Sequence, residues 1–131
     1  MWLYGLVLGA GLLLEGGALL LVDRLPVLGV PLTTGDTRHN LLHVAWGALL
    51  LAVLVGSRPG ARRPSVALLV FGLFYTALGV LGLMLDRPFG LLLGPGENAF
   101  HLLVGPLALA LGCTLLPWRP RLNRARGSPT T

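Results

Sequence analysis

Several histidines and glutamates lie within or beside the apolar stretches of this sequence. Both residue types can bind metal ions or transfer protons. His39 and His43 are four positions apart, as are Glu97 and His101, so each pair lies on one face of a helix. Imidazoles together with one carboxylate suit zinc, iron or copper, and four such ligands would close a tetrahedral site. Glu15 is a further acid within an apolar stretch.

The two pairs belong to a pattern, Asn-x-x-His-x-x-x-Gly, that occurs twice, 58 positions apart. Its residues are Asn40, His43 and Gly47 in the first copy and Asn98, His101 and Gly105 in the second. Each copy follows an apolar stretch that ends in Asp-Arg and a loop rich in glycine and proline. The pattern predicts an internal repeat of two halves with parallel topology, related by a pseudo-two-fold axis that places helices two and four side by side.

The repeated residues also have a packing interpretation. Asn40 and Asn98 lie near the predicted helix starts, where an asparagine N-cap contributes about 1 kcal/mol. Gly47 and Gly105 follow each histidine by one turn, and a small residue there lets a neighbouring helix approach closely. Each histidine would then hydrogen-bond a carbonyl or an asparagine of the facing helix.

Composition shows where these residues must lie. The chain has 131 residues, 54% of them hydrophobic and 11% charged, and its mean hydropathy is +0.79. Soluble domains carry about a quarter charged residues, and so short a chain has too much surface to hide this apolar content. A soluble enzyme, a nucleic-acid-binding domain and a disordered chain are therefore excluded, which leaves a protein of the lipid bilayer.

Four apolar stretches are long enough to cross a bilayer as helices. They cover about Trp2–Val22, Asn40–Val55, Ser65–Leu85 and Asn98–Leu116. We predict an all-α fold, a four-helix transmembrane bundle built from two parallel two-helix repeats at about 1–56 and 65–118. The bundle occupies residues 1–118, and residues 119–131 form a disordered basic tail.

The distribution of arginine predicts the orientation. All ten basic residues are arginine, and they concentrate in the loop between helices two and three and in the tail. Because positive charge in short loops favours the cytoplasmic side, both termini and the middle loop are predicted to be cytoplasmic. The chain would then be a multi-pass protein of the plasma (inner) membrane with the histidines near its outer face. Arginine clusters between apolar runs do not form a nucleic-acid interface.

Glu15 lies beyond the middle of helix one, where an acid costs a few kcal/mol unless it is paired, protonated or in contact with water. His43 and His101 are its nearest partners by predicted depth, followed by Tyr75 and Thr76. The alternative is a neutral carboxyl group in a packing site lined by glycines.

Two segments resemble the family called domain of unknown function 4383, small bacterial four-helix membrane proteins. They are His39-Asn40-Leu41-Leu42-His43 and Glu97-Asn98-Ala99-Phe100-His101-Leu102-Leu103-Val104-Gly105, and the hydrophobic layout around them covers nearly the whole chain. The resemblance implies that Asn40, His43, Asn98 and His101 match the polar pattern of the family. Glu97 stands where an aspartate is expected. The family has no established activity, so the resemblance supports the architecture and leaves function open.

Three functions remain open at this point. The first is a non-enzymatic structural or accessory membrane protein without a cofactor, acting as a homo-oligomer or with a membrane protein partner. The lone Cys113, the absence of lysine and the absence of a Gly-x-Ser-x-Gly elbow leave no nucleophile for covalent catalysis. The second is binding of zinc, iron or copper by His39, His43, Glu97 and His101, or of haem by His43 and His101. The third is a small oligomeric transporter or proton pathway that uses Glu15.

Overall fold

The fold is an all-α bundle, as predicted. The computed structural model describes residues 2–21, 26–27, 30–31, 36–58 and 60–114. Its helices are α1 (Trp2–Leu21), α2 (Thr37–Val55), α3 (Arg63–Met84) and α4 (Pro95–Thr114), with a short 3-10 turn at Pro88–Gly90. Two antiparallel two-residue strands, β1 (Pro26–Val27) and β2 (Val30–Pro31), lie between α1 and α2. The predicted disordered tail at 119–131 lies outside the described residues.

Three of the described helices, α1, α2 and α3, are long and apolar enough to cross a membrane. Helix α4 has 20 residues but is not among them. Its first two turns carry Glu97, Asn98 and His101, and these polar side chains lower the apolar content that a span requires. The chain therefore has the helices of a membrane protein.

The bundle consists of two helix pairs. Helix α1 packs along α2 and α3 packs along α4, whereas α2 and α3 contact each other over a much shorter stretch. Helices α2 and α4 contact each other through side chains, as in the contact between His39 of α2 and His101 of α4. We call the end of the bundle where α2 and α4 begin the histidine end.

Glycines set the closest approach within each pair. A Cβ atom at Gly47 would lie 2.6 Å from the carbonyl oxygen of Gly9, and one at Gly72 would lie 2.7 Å from that of Gly105. Any side chain at these positions would push the backbones apart, so glycine permits both crossings. Gly72 follows Gly9 by 63 positions and Gly105 follows Gly47 by 58, so the two crossings occupy corresponding places in the two pairs.

Aromatic side chains fill the space between the pairs. Phe71 and Tyr75 of α3 are fully buried and stack with ring centroids 4.1 Å apart. Trp46 of α2 meets Phe71 edge-on at 5.5 Å. The Tyr4 hydroxyl of α1 donates a hydrogen bond of 3.0 Å to the carbonyl oxygen of Val104 in α4. The contacts of Trp46 with Phe71 and of Tyr4 with Val104, together with that of His39 with His101, hold the two pairs together.

Asp36 caps α2 and ties it to the segment that precedes α4. Its Oδ1 accepts hydrogen bonds from the backbone N–H groups of Arg38 at 2.8 Å and His39 at 3.3 Å. Its Oδ2 accepts from the N–H of Leu92 at 2.8 Å. The prediction that Asn40 caps this helix is wrong, because α2 begins three residues earlier than expected.

Candidate metal centre

All three histidines of the chain meet at the histidine end of the bundle. His39 and His43 come from the first two turns of α2, and His101 from the second turn of α4. Their exposed fractions are 1%, 2% and 0%. Each ring offers one nitrogen, and the three nitrogens lie within 4.8 Å of one another. Such a set of buried imidazoles has the composition of a transition-metal site.

The partner helix of each pair supports the histidine from behind. A Cβ atom at Gly16 of α1 would lie 2.9 Å from the Cβ atom of His43. On the other pair, a Cβ atom at Gly79 of α3 would lie 3.1 Å from the Cβ atom of His101. Because neither glycine has a side chain, α1 and α3 come close to the histidine backbones. The imidazoles extend between the two pairs, where they contact each other.

The ring of His39 lies in the middle of the cluster. Its centroid is 4.3 Å from that of His43 and 5.2 Å from that of His101, whereas the outer two centroids are 6.1 Å apart. Nε2 of His39 is 3.3 Å from Nε2 of His101. Two nitrogen ligands of a tetrahedral zinc ion are also about 3.3 Å apart, given metal–nitrogen bonds of about 2.0–2.1 Å. These two atoms therefore already have the spacing of two ligands of one metal ion.

Two carboxylates stand behind the histidines of α2. Nδ1 of His43 contacts Oε2 of Glu15. Nδ1 of His39 lies 3.3 Å from Oε1 of Glu97, an ion-pair distance without hydrogen-bond alignment. Oε2 of Glu97 accepts a hydrogen bond from the backbone N–H of Gly94. Among the described residues, the group whose ligand atoms lie within 4.8 Å of one another comprises the three histidines, and Glu97 lies beside His39. The role of Glu97 as a fourth ligand stays a prediction.

Several buried polar atoms of the site have no hydrogen-bond partner among the described residues. They are Nδ1 of His39, Nε2 of His43, Nδ1 of His101, Oδ1 of Asn98 and the hydroxyl of Tyr75. An unsatisfied buried polar group costs about 1–3 kcal/mol. Hydrogen bonding among the described side chains thus leaves the cluster incomplete, and an ion bound at Nε2 of His43 would satisfy one of these ring nitrogens.

Tyr75 forms part of the wall of the site, which sequence reasoning missed. Its ring centroid lies 5.0 Å from that of His101 and 6.0 Å from that of His43. The sequence placed Tyr75 only near Glu15 by depth. The sequence did contain one indication of this role: Tyr75 occupies the repeat position that corresponds to Leu12 in α1, so a polar aromatic residue replaces an aliphatic one.

Asn98 connects two helices and does not cap one. Helix α4 begins at Pro95, and Nδ2 of Asn98 donates a 3.0 Å hydrogen bond to the carbonyl oxygen of Gly82 in α3. The capping prediction for Asn98 is therefore wrong, for the same reason as at Asn40: both helices start earlier than the apolar pattern suggests. Asn40 is buried in α2, and its carbonyl oxygen faces Gly16.

Glu15 is partly exposed, not enclosed. Its side chain is 42% exposed, and one of its oxygens contacts His43. His43 was one of the two nearest partners expected from the predicted depth in the membrane. Gly16 packs tightly, but nothing lies within 4 Å of a Cβ atom placed at Gly11 or Gly17. The interpretation of a packing site lined by these glycines is wrong, because two of the three face away from neighbouring helices.

A comparison with known protein families places the site within a matched region. The family model described as domain of unknown function (DUF4383) matches residues 33–114. This range contains α2, α3 and α4, and hence all three histidines and Glu97, whereas Glu15 lies before it. No curated protein and no solved structure matches the chain.

Proposed function

The chain belongs to the DUF4383 family, whose description names no activity, and from this premise we propose that it is an integral membrane protein that binds a divalent transition-metal ion. His39, His43 and His101 are the proposed ligands. The observation that supports this proposal is that all three histidines of the sequence are buried side by side. One ring nitrogen of each lies within 4.8 Å of the others.

A purely structural cluster explains these contacts less well. Packing histidines are expected to satisfy both ring nitrogens, because an unsatisfied buried group costs about 1–3 kcal/mol. Here Nε2 of His43 and Nδ1 of His101 have no partner among the described residues. A metal ion drawing the rings together would use the nitrogen of His43 that packing leaves unsatisfied.

The ligand chemistry favours a small ion over a haem. Imidazole suits zinc, copper, iron and nickel in their divalent states. A haem held by His43 and His101 would have to pass between their rings, where the ring of His39 packs at 4.3 Å and 5.2 Å from the two centroids. Zinc is the natural probe because it accepts this ligand set without a redox step.

The location of the site is part of the proposal. Three apolar helices support a membrane position, and the arginines of the α2–α3 loop favour a cytoplasmic location for that loop. The histidine end would then face the outside of the cell. The matching crossings of Gly9 with Gly47 and of Gly72 with Gly105 support an internal repeat, so that the metal would bridge its two halves.

The test is zinc binding by protein purified in detergent. We expect one Zn²⁺ per chain, and we expect His101→Ala to weaken binding at least tenfold because it removes one of the three ligands. Replacing Zn²⁺ by Co²⁺ adds a visible spectrum that reports on tetrahedral nitrogen coordination.

Asn98→Ala is the matched control. Asn98 lies one turn before His101 on the same helix, but its side chain bonds Gly82 instead of a histidine. This variant should keep full zinc stoichiometry. Wild-type protein that binds no zinc, or equal binding by wild type and His101→Ala, would contradict the proposal.

A further inference from the structure

We infer that Glu15 and Glu97 are positioning residues of the metal site: they orient His43 and His39 and make the site selective for a divalent ion. This inference rests on the proposed function and assigns a role to the two carboxylates that the ligand set leaves unused. It also replaces the expectation that Glu97 binds the metal directly.

The assignment follows from which ring nitrogen each carboxylate touches. Glu15 contacts Nδ1 of His43, and Glu97 lies 3.3 Å from Nδ1 of His39. In both rings this leaves Nε2 for the metal, and Nε2 of His39 already faces the third ring. Metal-binding histidines typically donate their other N–H to a carboxylate, which fixes the tautomer and the ring orientation. His43 makes such a contact with Glu15, and at His39 the carboxylate of Glu97 lies at ion-pair distance from the same ring nitrogen.

Both carboxylates are themselves held in place by the fold. Glu97 is 5% exposed in the first turn of α4, and its second oxygen accepts from the N–H of Gly94. Glu15 is presented by α1 next to Gly16, whose missing side chain brings the helix against His43. Two different helices therefore orient the two histidines of α2, and each can be tested separately.

The charge of the site identifies the class of ion. Each carboxylate, when ionised, adds one negative charge beside the ligand set, and at Glu97, which is only 5% exposed, that charge is costly unless a cation compensates it. A divalent cation bound by neutral imidazoles balances both charges, whereas a monovalent ion such as Ag⁺ leaves one negative charge over. The pair of glutamates thus favours M²⁺ over M⁺ at a nitrogen-ligand site that would otherwise accept either.

The experiment compares Zn²⁺ and Ag⁺ binding in Glu15→Gln and Glu97→Gln. Glutamine keeps an oxygen that accepts the Nδ1–H hydrogen bond and removes the charge. We expect each variant to bind Zn²⁺ 10–100-fold more weakly, the usual effect of losing such a partner. We expect the ratio of Zn²⁺ to Ag⁺ affinity to fall as well. This ratio is measured on one preparation, so a partly unfolded variant does not distort it.

Asp86→Asn is the matched control, because Asp86 is an exposed acid at the same end of the bundle. It removes the same charge without touching a histidine. If both glutamine variants change zinc affinity and the Zn²⁺/Ag⁺ ratio no more than Asp86→Asn does, while wild type binds zinc, the inference is overturned and the proposed function stands. Wild-type protein without zinc affinity would overturn both.

Discussion

At the scale of single residues, the site depends on which atoms of each side chain are already engaged. His43 has one nitrogen against Glu15 and one without a partner, and His39 has one nitrogen near Glu97 and one facing His101. Judged by residue type alone, the glutamates and the histidines would all be candidate metal ligands. The atomic contacts separate the two groups, because a carboxylate that contacts Nδ1 leaves Nε2 for the proposed metal ion.

Asp36 shows how a single acid can organise the approach to this site. Burial alone would raise the pKa of Asp36. The hydrogen bonds from the N–H groups of Leu92, Arg38 and His39 outweigh that effect and hold the pKa below its ordinary value. A carboxyl group with a lowered folded-state pKa stabilises the fold above its unfolded pKa and loses that contribution as the pH falls through its folded pKa.

We therefore predict an acid-sensitive contribution from Asp36. Asp36→Asn keeps a residue that can cap α2 but removes the charge, so wild type should melt at a higher temperature than the variant at neutral pH. The difference should shrink below about pH 4, near the ordinary carboxyl pKa. Thermal melting of metal-free protein across pH 3 to 7 measures it. A difference that does not change with pH would show that the charge contributes nothing.

At the scale of helices, glycine positions decide which faces meet. Gly47 lies where α2 crosses α1, with no room for a Cβ atom, whereas Gly11 of α1 has open space around it. Both are helical glycines in apolar sequence, and their immediate apolar neighbours do not distinguish them. Only Gly47 belongs to the repeated Asn-x-x-His-x-x-x-Gly pattern, and that periodicity was the usable signal.

The two glycines provide a matched pair of substitutions. Gly47→Ala places a methyl group 2.6 Å from the carbonyl oxygen of Gly9, so the α1–α2 pair must separate and the melting temperature should fall by several degrees. Gly11→Ala meets nothing and gains helix propensity, so its melting temperature should stay the same or rise. Equal melting temperatures for the two variants in detergent would contradict the close crossing.

Helix boundaries illustrate why some local predictions failed. Apolar periodicity located all four helices, but α2 and α4 each begin three residues before the apolar run, at Thr37 and Pro95. Polar residues in a first turn carry no apolar signal, although Asp36 is itself a favoured cap. Assigning the caps to Asn40 and Asn98 followed from starting the helices with the apolar residues.

At the scale of the whole molecule, the histidine cluster joins two helix pairs whose backbones approach each other less closely than the helices within each pair do. The contacts within the α1–α2 pair and the α3–α4 pair are far more extensive than those between α2 and α3. His39 and His43 belong to the first pair and His101 to the second. A metal ion at this position would link the two pairs directly.

We predict that zinc stabilises the assembled bundle. Ligand that binds only the folded state at 100 times its dissociation constant adds about 2.7 kcal/mol to the free energy of unfolding. Wild type should therefore melt at a higher temperature with zinc than with a chelator, and His101→Ala should lose most of this increase. An unchanged melting temperature in saturating zinc would show that the ion does not bridge the pairs.

The sequence by itself determined the all-α fold and the apolar helices, and it singled out the three histidines as candidate site residues. Composition and periodicity can be evaluated from each segment of the chain alone. Only the tertiary structure decided that His39 lies between His43 and His101, that Glu97 stands behind a ring and that Tyr75 borders the site. These relations join residues far apart in the chain, from Glu15 to His101. They depend on how closely the glycine crossings let the helices pack, and no local pattern encodes that distance.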